Sequence, residues 1–268
     1  SKKKVKETIK SLNRYISIIL VENSMDVSLK KELESKHKNV EVIIPKSNNG
    51  QGEAFNLAAK KTNKKFLLFL DMDIKITTLQ ITKLIKKAID IKKFGVITPK
   101  IKYQNYDKLK LEKNKNQDLY KVWFNTGCVM LIKKSTMKKI NYFDKKIFLY
   151  YEETDFYKRC INAKLPVYMY DKVLITNPKT YSIDSKFSHD YLKIRNWHYC
   201  WSKFYYYKKH YGYFVGLKKT FPNLIKAVKK IITHLFTFKF REISYFCAEI
   251  LGLLSSYLNI NSFYRIKK

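Results

Sequence analysis

Carboxylates able to do chemistry occur in two places along the chain. The first is Asp71-Met72-Asp73, which ends the apolar run Phe66-Leu67-Leu68-Phe69-Leu70. Five consecutive apolar residues predict a strand buried on both faces, in the middle of a parallel sheet. In open α/β sheets ligands lie beyond the carboxyl ends of the strands. Two acids placed there can hold a hard cation, and a cation can hold phosphate oxygens. The plainer alternative is a turn with a helix N-cap, since aspartate suits both positions.

The second place follows the aromatic run Phe148-Leu149-Tyr150-Tyr151, where Glu152-Glu153-Thr154-Asp155 leads into a helix carrying Arg159. Acids at a helix start complement its dipole by about 0.3–1 kcal/mol each, which accounts for one or two of them without requiring three. Polar groups that could serve a ligand precede both clusters. Glu22-Asn23-Ser24 follows a strand, and Asn49-Gly50-Gln51-Gly52 leads to Asn56 at the start of a helix. Gly50 and Gly52 permit close backbone approach and unusual φ values, but their spacing is neither that of a P-loop nor that of a dinucleotide fingerprint. Asn125-Thr126-Gly127 forms a further polar turn.

The elements that must position these groups alternate. An amphipathic helix is expected over 3–13, with Val5, Ile9 and Leu12 on one face, and a buried strand over 16–21. A helix with Leu29 and Leu33, a strand over 40–44 and a helix reaching Lys61 precede Phe66–Asp73. A helix from Thr77 or Thr78, carrying Ile81, Leu84, Ile85, Ala88 and Ile89, leads to a strand over 94–98. This βαβαβ order predicts a parallel, right-handed, nucleotide-binding half. Residues 102–121 lack periodicity and read as an exposed loop covering the site. A turn then feeds a strand ending at Ile132, a short helix spans 135–140, and residues 166–170 and 172–176 form a strand pair or one bent strand.

The chain carries 55 Lys+Arg against 22 Asp+Glu, a formal +33. Such a field calls for anionic partners: nucleic acid, lipid headgroups or a phosphorylated substrate. Lysines scattered through every segment, with few arginines, argue against a base-reading surface, so no nucleic acid is expected. A nucleotide and an anionic membrane surface are favoured. Cys128, Cys160, Cys200 and Cys247 form no Cys-x-x-Cys pair, so neither zinc nor a disulfide framework is indicated. Beyond about residue 185, aromatic and cationic residues interleave around Trp197, Trp201 and Tyr205-Tyr206-Tyr207. That pattern suits a bilayer interface, and a buried helical subdomain is the competing reading. Ile243–Ile260 is the most apolar stretch, yet Glu249 and its length disfavour a span.

The succession Glu22-Asn23-Ser24, Asn49-Gly50 with Asn56, Leu70-Asp71-Met72-Asp73, Asn125-Thr126-Gly127, Phe143-Asp144 and Tyr151-Glu152-Glu153-Thr154-Asp155 with Arg159 resembles the family-2 glycosyltransferases of GT-A fold, and most closely their bacterial rhamnosyltransferase-like branch. The resemblance covers roughly residues 1–180 and rests on order and spacing together. It implies an α/β domain over 1–184 with a mixed, mainly parallel sheet flanked by helices, followed by a helical extension over 185–268. It implies transfer of a sugar, with inversion, from a nucleotide-sugar donor to a saccharide or lipid-linked acceptor in surface polysaccharide synthesis, at the inner face of the cell membrane. Asp73 would hold Mg²⁺ or Mn²⁺ against the donor diphosphate, with Asp71 close to the sugar or nucleotide. Glu22, Asn23, Asn49, Gly50 and Asn56 would lie on the donor side. Glu153 stands at the position of the catalytic base, with Asp155 behind it and the choice between the two open.

Three departures accompany the resemblance. The sequence opens at the first helix, without the family's opening strand and its Tyr-Asn type loop, so donor binding is expected to be incomplete or completed by residues outside the sequence. Glu153 replaces the commoner aspartate, and Asn177-Pro178 stands where relatives often carry a histidine. The first departure motivates an alternative function, a binding or scaffold protein of the same fold without catalysis.

Overall fold

In the computed structural model, residues 2–102, 104, 112–113, 118–176 and 188–265 are described. In chain order the elements are α1 (Lys2–Ser11), β1 (Ile18–Val21), α2 (Val27–Lys36), β2 (Val40–Ile43), α3 (Gln51–Lys61), β3 (Phe66–Leu70), α4 (Thr78–Asp90), β4 (Val96–Ile101), β5 (Glu112–Lys113), β6 (Leu119–Lys121), β7 (Val129–Lys133), α5 (Lys134–Lys139), α6 (Glu152–Asn162), β8 (Val167–Ile175), α7 (Ser188–Tyr211), α8 (Tyr213–Phe236) and α9 (Phe240–Tyr257). They fall into two compact units. Among the described residues the first comprises 2–49, 53–143 and 153–176, and the second 50–52, 144–152 and 188–265. The expected boundary at 184/185 and the Asn177-Pro178 departure lie outside the described residues.

The first unit is mixed α/β. β1 and β2 pair in parallel as a two-stranded sheet, covered by α1 and α2 through Val5, Ile9, Leu29 and Leu33. The other strands form a six-stranded sheet in the order β3-β7-β4-β8-β6-β5. β7 runs antiparallel to both β3 and β4, β4 is parallel to β8, and β6 is antiparallel to β8 and β5. Strands β3, β4, β8 and β5 therefore point the same way, so direction is mainly shared although most hydrogen-bonded pairs are antiparallel.

This topology alters three expectations. The βαβαβ half is divided between two sheets. β1 is half-buried along its whole length rather than buried, because among the described ladders only β2 pairs with it. β3 lies at the end of the six-stranded order, not in the middle of a parallel sheet. Its two faces are nonetheless both used: Leu67 and Phe69 enter one apolar cluster, while Phe66, Leu68 and Leu70 pack on another. The strand over 167–175 is one bent strand, whose register against β4 shifts between Pro99 and Lys100. Within 102–121, described strand replaces the expected loop at β5 and β6, and the rest of that stretch is outside the described residues apart from 102, 104 and 118.

α4 follows the sequence closely. Thr77 and Gln80 form a reciprocal capping box, and Ile81, Leu84 and Ala88 face the core. Ile89, expected on that face, is exposed.

The second unit is built on α7, α8 and α9. Trp197, Trp201 and Phe204 of α7 are buried, so these rings form the interior of a helical unit rather than a headgroup-level belt. Trp201 Nε1 donates to Ile260 O at 2.8 Å, which satisfies the one polar atom of that indole. The helices approach closely at Gly252, where an added Cβ would lie 2.3 Å from the Trp197 carbonyl oxygen. Alanine ordinarily stabilises a helix over glycine by up to about 1 kcal/mol. Here no rotamer relieves a clash with backbone, so Gly252→Ala is expected to lower the melting temperature instead; an unchanged or higher value would contradict the packing.

Candidate active site

The first acidic cluster is positioned by the β3–β7 pairing. The register sets Leu70 opposite Val129, and Asp71 N donates to Cys128 O at 3.0 Å, carrying the ladder one residue past the strand. The chain then turns, with Ile74 N donating to Asp71 O at 3.1 Å, while buried Ile74 and Ile76 anchor the far side of the turn. Asp71 and Asp73 are left half-buried beside an exposed Met72.

Because β7 is antiparallel to β3, its entry lies against the exit of β3. That entry is the turn Asn125-Thr126-Gly127. Asn125 is buried and donates from Nδ2 to Thr98 Oγ1 at 2.6 Å and to Pro99 O at 3.2 Å, while its Oδ1 accepts from Thr126 N at 2.9 Å. This fixes the turn to β4. At Gly127 the space for a side chain is already taken: an added Cβ would lie 2.8 Å from Glu153 Cβ and 2.9 Å from its Cγ. Glu153, in the first turn of α6, thus packs directly on the residue next to Cys128. The second acidic cluster meets the strand end that carries the first.

The electrostatics agree with this convergence. The Cys128 thiol is pushed up to about 12, first by burial and then by the charges of Asp71 and Asp73. Tyr157, one helical turn beyond Glu153, is buried, and its hydroxyl has no hydrogen-bond partner among the described residues. Burial raises its pKa, with Glu153, Cys128, Cys160 and Asp71 adding to the effect. Glu153 is half-buried as a residue, and its pKa is raised above the ordinary 4.5 because desolvation of the carboxyl outweighs the backbone N–H groups of Glu153 and Thr154 that favour its charged form.

Asp155 has a different environment. It is fully buried, and Arg159 Nε donates to its Oδ2 at 2.8 Å. The same guanidinium donates from Nη1 to Ile140 O and, at 2.6 Å, to Tyr142 O. Asn141 and Tyr142 have φ of 57° and 60°, a left-handed conformation that asparagine tolerates and tyrosine does not favour, and Arg159 is one of the groups holding it. Asn56 is another: it is buried, donates to Phe143 O at 3.0 Å and accepts from Phe143 N at 2.9 Å. Its Nδ2 also donates to Glu53 Oε2 at 2.9 Å. The Asn56 side chain is committed to this loop.

Of the other expected donor-side residues, Glu22 is half-buried directly after β1, with Oε1 accepting from Ser24 N at 2.7 Å and from Ser24 Oγ. Asn23 beside it is half-buried, and Asn49 is exposed with Nδ2 donating to Ser47 Oγ at 2.9 Å. Gly50 belongs to the second unit and has φ of 91°, and a Cβ there would lie 2.0 Å from Phe148 O. Cys128 and Tyr157 were not among the residues singled out by sequence. The four-residue spacing of Glu153 and Tyr157 could have pointed to the tyrosine, but nothing local pointed to the cysteine.

A profile described as glycosyl transferase family 2 matches residues 1–160. The chain belongs to that family. Residues 1–160 are accordingly a glycosyltransferase domain. Curated protein sequences offer no match. Among solved structures, the mannosyltransferase PcManGT from Pyrobaculum calidifontis, in complex with GDP-Man and Mn²⁺, has a TM-score of 0.61 at 10% identity, covering 97% of this chain and 84% of that one. GalNAc-T7 with UDP, GalNAc and Mn²⁺ has a TM-score of 0.55 at 11% identity, covering 83% of this chain and 54% of that one. S. aureus TarS 1-349 in complex with UDP-GlcNAc has a TM-score of 0.50 at 10% identity over 95% and 88%. At such identities the likeness is one of fold, and the fold is the GT-A type expected from the sequence.

The raised pKa of Glu153 has a consequence for stability. A carboxyl that holds its proton more tightly when folded loses stability as pH rises through its folded pKa, and incurs no cost below the unfolded value. Glu153→Gln is therefore expected to be more stable than the parent in urea unfolding at about pH 7, with the difference vanishing below about pH 4. A glutamine variant equally stable at both pH values would contradict the burial of this carboxyl.

Proposed function

We propose that the chain is an inverting, metal-dependent glycosyltransferase of the rhamnosyltransferase-like branch. It moves a hexosyl or deoxyhexosyl group from a nucleotide sugar to a saccharide or lipid-linked acceptor in surface polysaccharide synthesis, at the inner face of the cell membrane. The observation that carries the reading is the packing of Glu153 on Gly127, beside the strand end that bears Asp71 and Asp73. Residues 1–184 are the catalytic domain in this reading, and 185–268 the membrane-attached region.

A sugar hydroxyl is a poor nucleophile, so a carboxylate must take its proton as its oxygen attacks the anomeric carbon. Glu153 suits that role because burial brings its pKa towards the working range of a general base. The new bond forms on the face opposite the departing nucleoside diphosphate, whose bond to the anomeric carbon breaks, and configuration inverts. Asp155 is a positioning residue, since its ion pair with Arg159 holds α6 against the 140–142 turn. Asn56 positions the Phe143 backbone in the same way, so the donor-side role passes to its loop. Glu22, Asn23 and Asn49 line the nucleoside side in this reading.

Asp71 and Asp73 offer the hard oxygen donors a divalent ion takes, and both stand half-buried in the turn that ends β3. Among the described residues no three His, Cys, Asp or Glu side chains gather around one point. Asp73 would hold Mg²⁺ or Mn²⁺, with Asp71 close to the sugar or nucleotide, and the ion would supply positive charge to the leaving diphosphate. The Mn²⁺ of PcManGT and GalNAc-T7 supports that choice.

Transfer or hydrolysis across a panel of nucleotide sugars, with and without Mn²⁺, tests the proposal. Glu153→Gln is expected to lose about 10²–10⁴ in rate, and Asp73→Ala to lose activity together with its metal dependence. Full activity in both variants would overturn it.

A further inference from the structure

We infer that one face of α8 is a docking surface for an anionic lipid bilayer. This deepens the membrane part of the proposed function and rests on it for its context, but its observations lie wholly within the helical unit. α8 packs into that unit through Gly216, Thr220, Ala227 and His234, which are buried. A second face points outward and carries Phe214, Phe221, Ile225, Val228, Ile232 and Phe236, between 43% and 83% exposed. Their steps of seven, four, three, four and four residues put them on one stripe of a helix. Lys218 and Lys229 flank the stripe, Lys219, Lys226 and Lys230 stand further round between it and the packed face, all five are exposed, and the helix contains no acidic residue. Past its end Phe238 and Phe240 are exposed as well.

An apolar stripe of this size is costly to leave in water. Its charge decides what covers it. A second copy of a chain with formal charge +33 would bring like charges together. An anionic bilayer satisfies both faces at once, taking aliphatic and aromatic side chains at the headgroup boundary and lysines against lipid phosphates. No helix among the described residues is long and apolar enough to cross a membrane, so the helix lies along the surface.

Binding to vesicles of phosphatidylcholine with and without phosphatidylglycerol tests this on the full chain. Tighter binding to the anionic vesicles is expected. Ile225→Gln/Ile232→Gln should weaken it about a hundredfold, from the apolar area no longer immersed. Lys226→Gln/Lys229→Gln/Lys230→Gln should weaken binding about a hundredfold on anionic vesicles and little on neutral ones. Lys83→Gln/Lys86→Gln, exposed on α4, should bind as the parent does. All substituted positions are exposed, and unchanged melting curves verify folding. Parental binding by both α8 variants would overturn the inference. So would an equal loss in the α4 variant, which would assign binding to net charge, or sedimentation showing that the isoleucine variant breaks a self-association. Sugar transfer to a soluble acceptor should persist in the α8 variants; its absence in the parent would count against the catalytic reading while leaving the vesicle result intact.

Discussion

The antiparallel pairing of β3 with β7 is the constraint on which the site depends. Either strand alone would end in a polar turn of no particular use. Paired in the register Leu70 to Val129, they bring the Asp71-Asp73 turn against Gly127 and Cys128, and Gly127 has no side chain because Glu153 fills that space. One residue of slip would turn every β7 side chain to the other face and move the turn away from α6. The fully buried Val129, Met130, Leu131 and Ile132 hold the register, since alternate residues of β7 are committed to two different apolar clusters.

Two carboxylates of the second cluster have different surroundings. Asp155 is paired with Arg159. Glu153 has backbone N–H groups and burial acting on it in opposite directions, and burial prevails. Arg159 and Asn56 both bind the backbone of the turn at 140–143, and two consecutive left-handed residues persist there because that backbone is over-determined.

Much of this was legible in the sequence, for local reasons. β3 ends at Leu70 where the apolar run ends, α4 starts where Thr77 and Gln80 can cap it, and acids mark the start of α6. What was hidden is non-local. Nothing in 129–133 announces that this strand inserts antiparallel between β3 and β4, so the place of Cys128 beside Asp71 was not foreseen, nor was the division of the βαβαβ half. In the C-terminal region composition misled. Interleaved rings and lysines look alike whether rings pack inward, as Trp197 and Trp201 do, or outward, as Phe221 and Phe236 do. Asn56 shows the same limit within the site, because a polar residue in a polar loop gives no sign that its amide is taken up by a backbone distant in sequence.

The account's central claim is that the two acidic clusters form one site. It is tested most directly by paramagnetic relaxation in the chain carrying ¹³C at the glutamate side chains, with Mn²⁺ and a nucleoside diphosphate added. Strong broadening of the Glu153 carboxyl signal, lost in Asp73→Ala, is the result the account predicts. A Glu153 signal that stays sharp while Mn²⁺ binds, or broadening that survives Asp73→Ala, would contradict it.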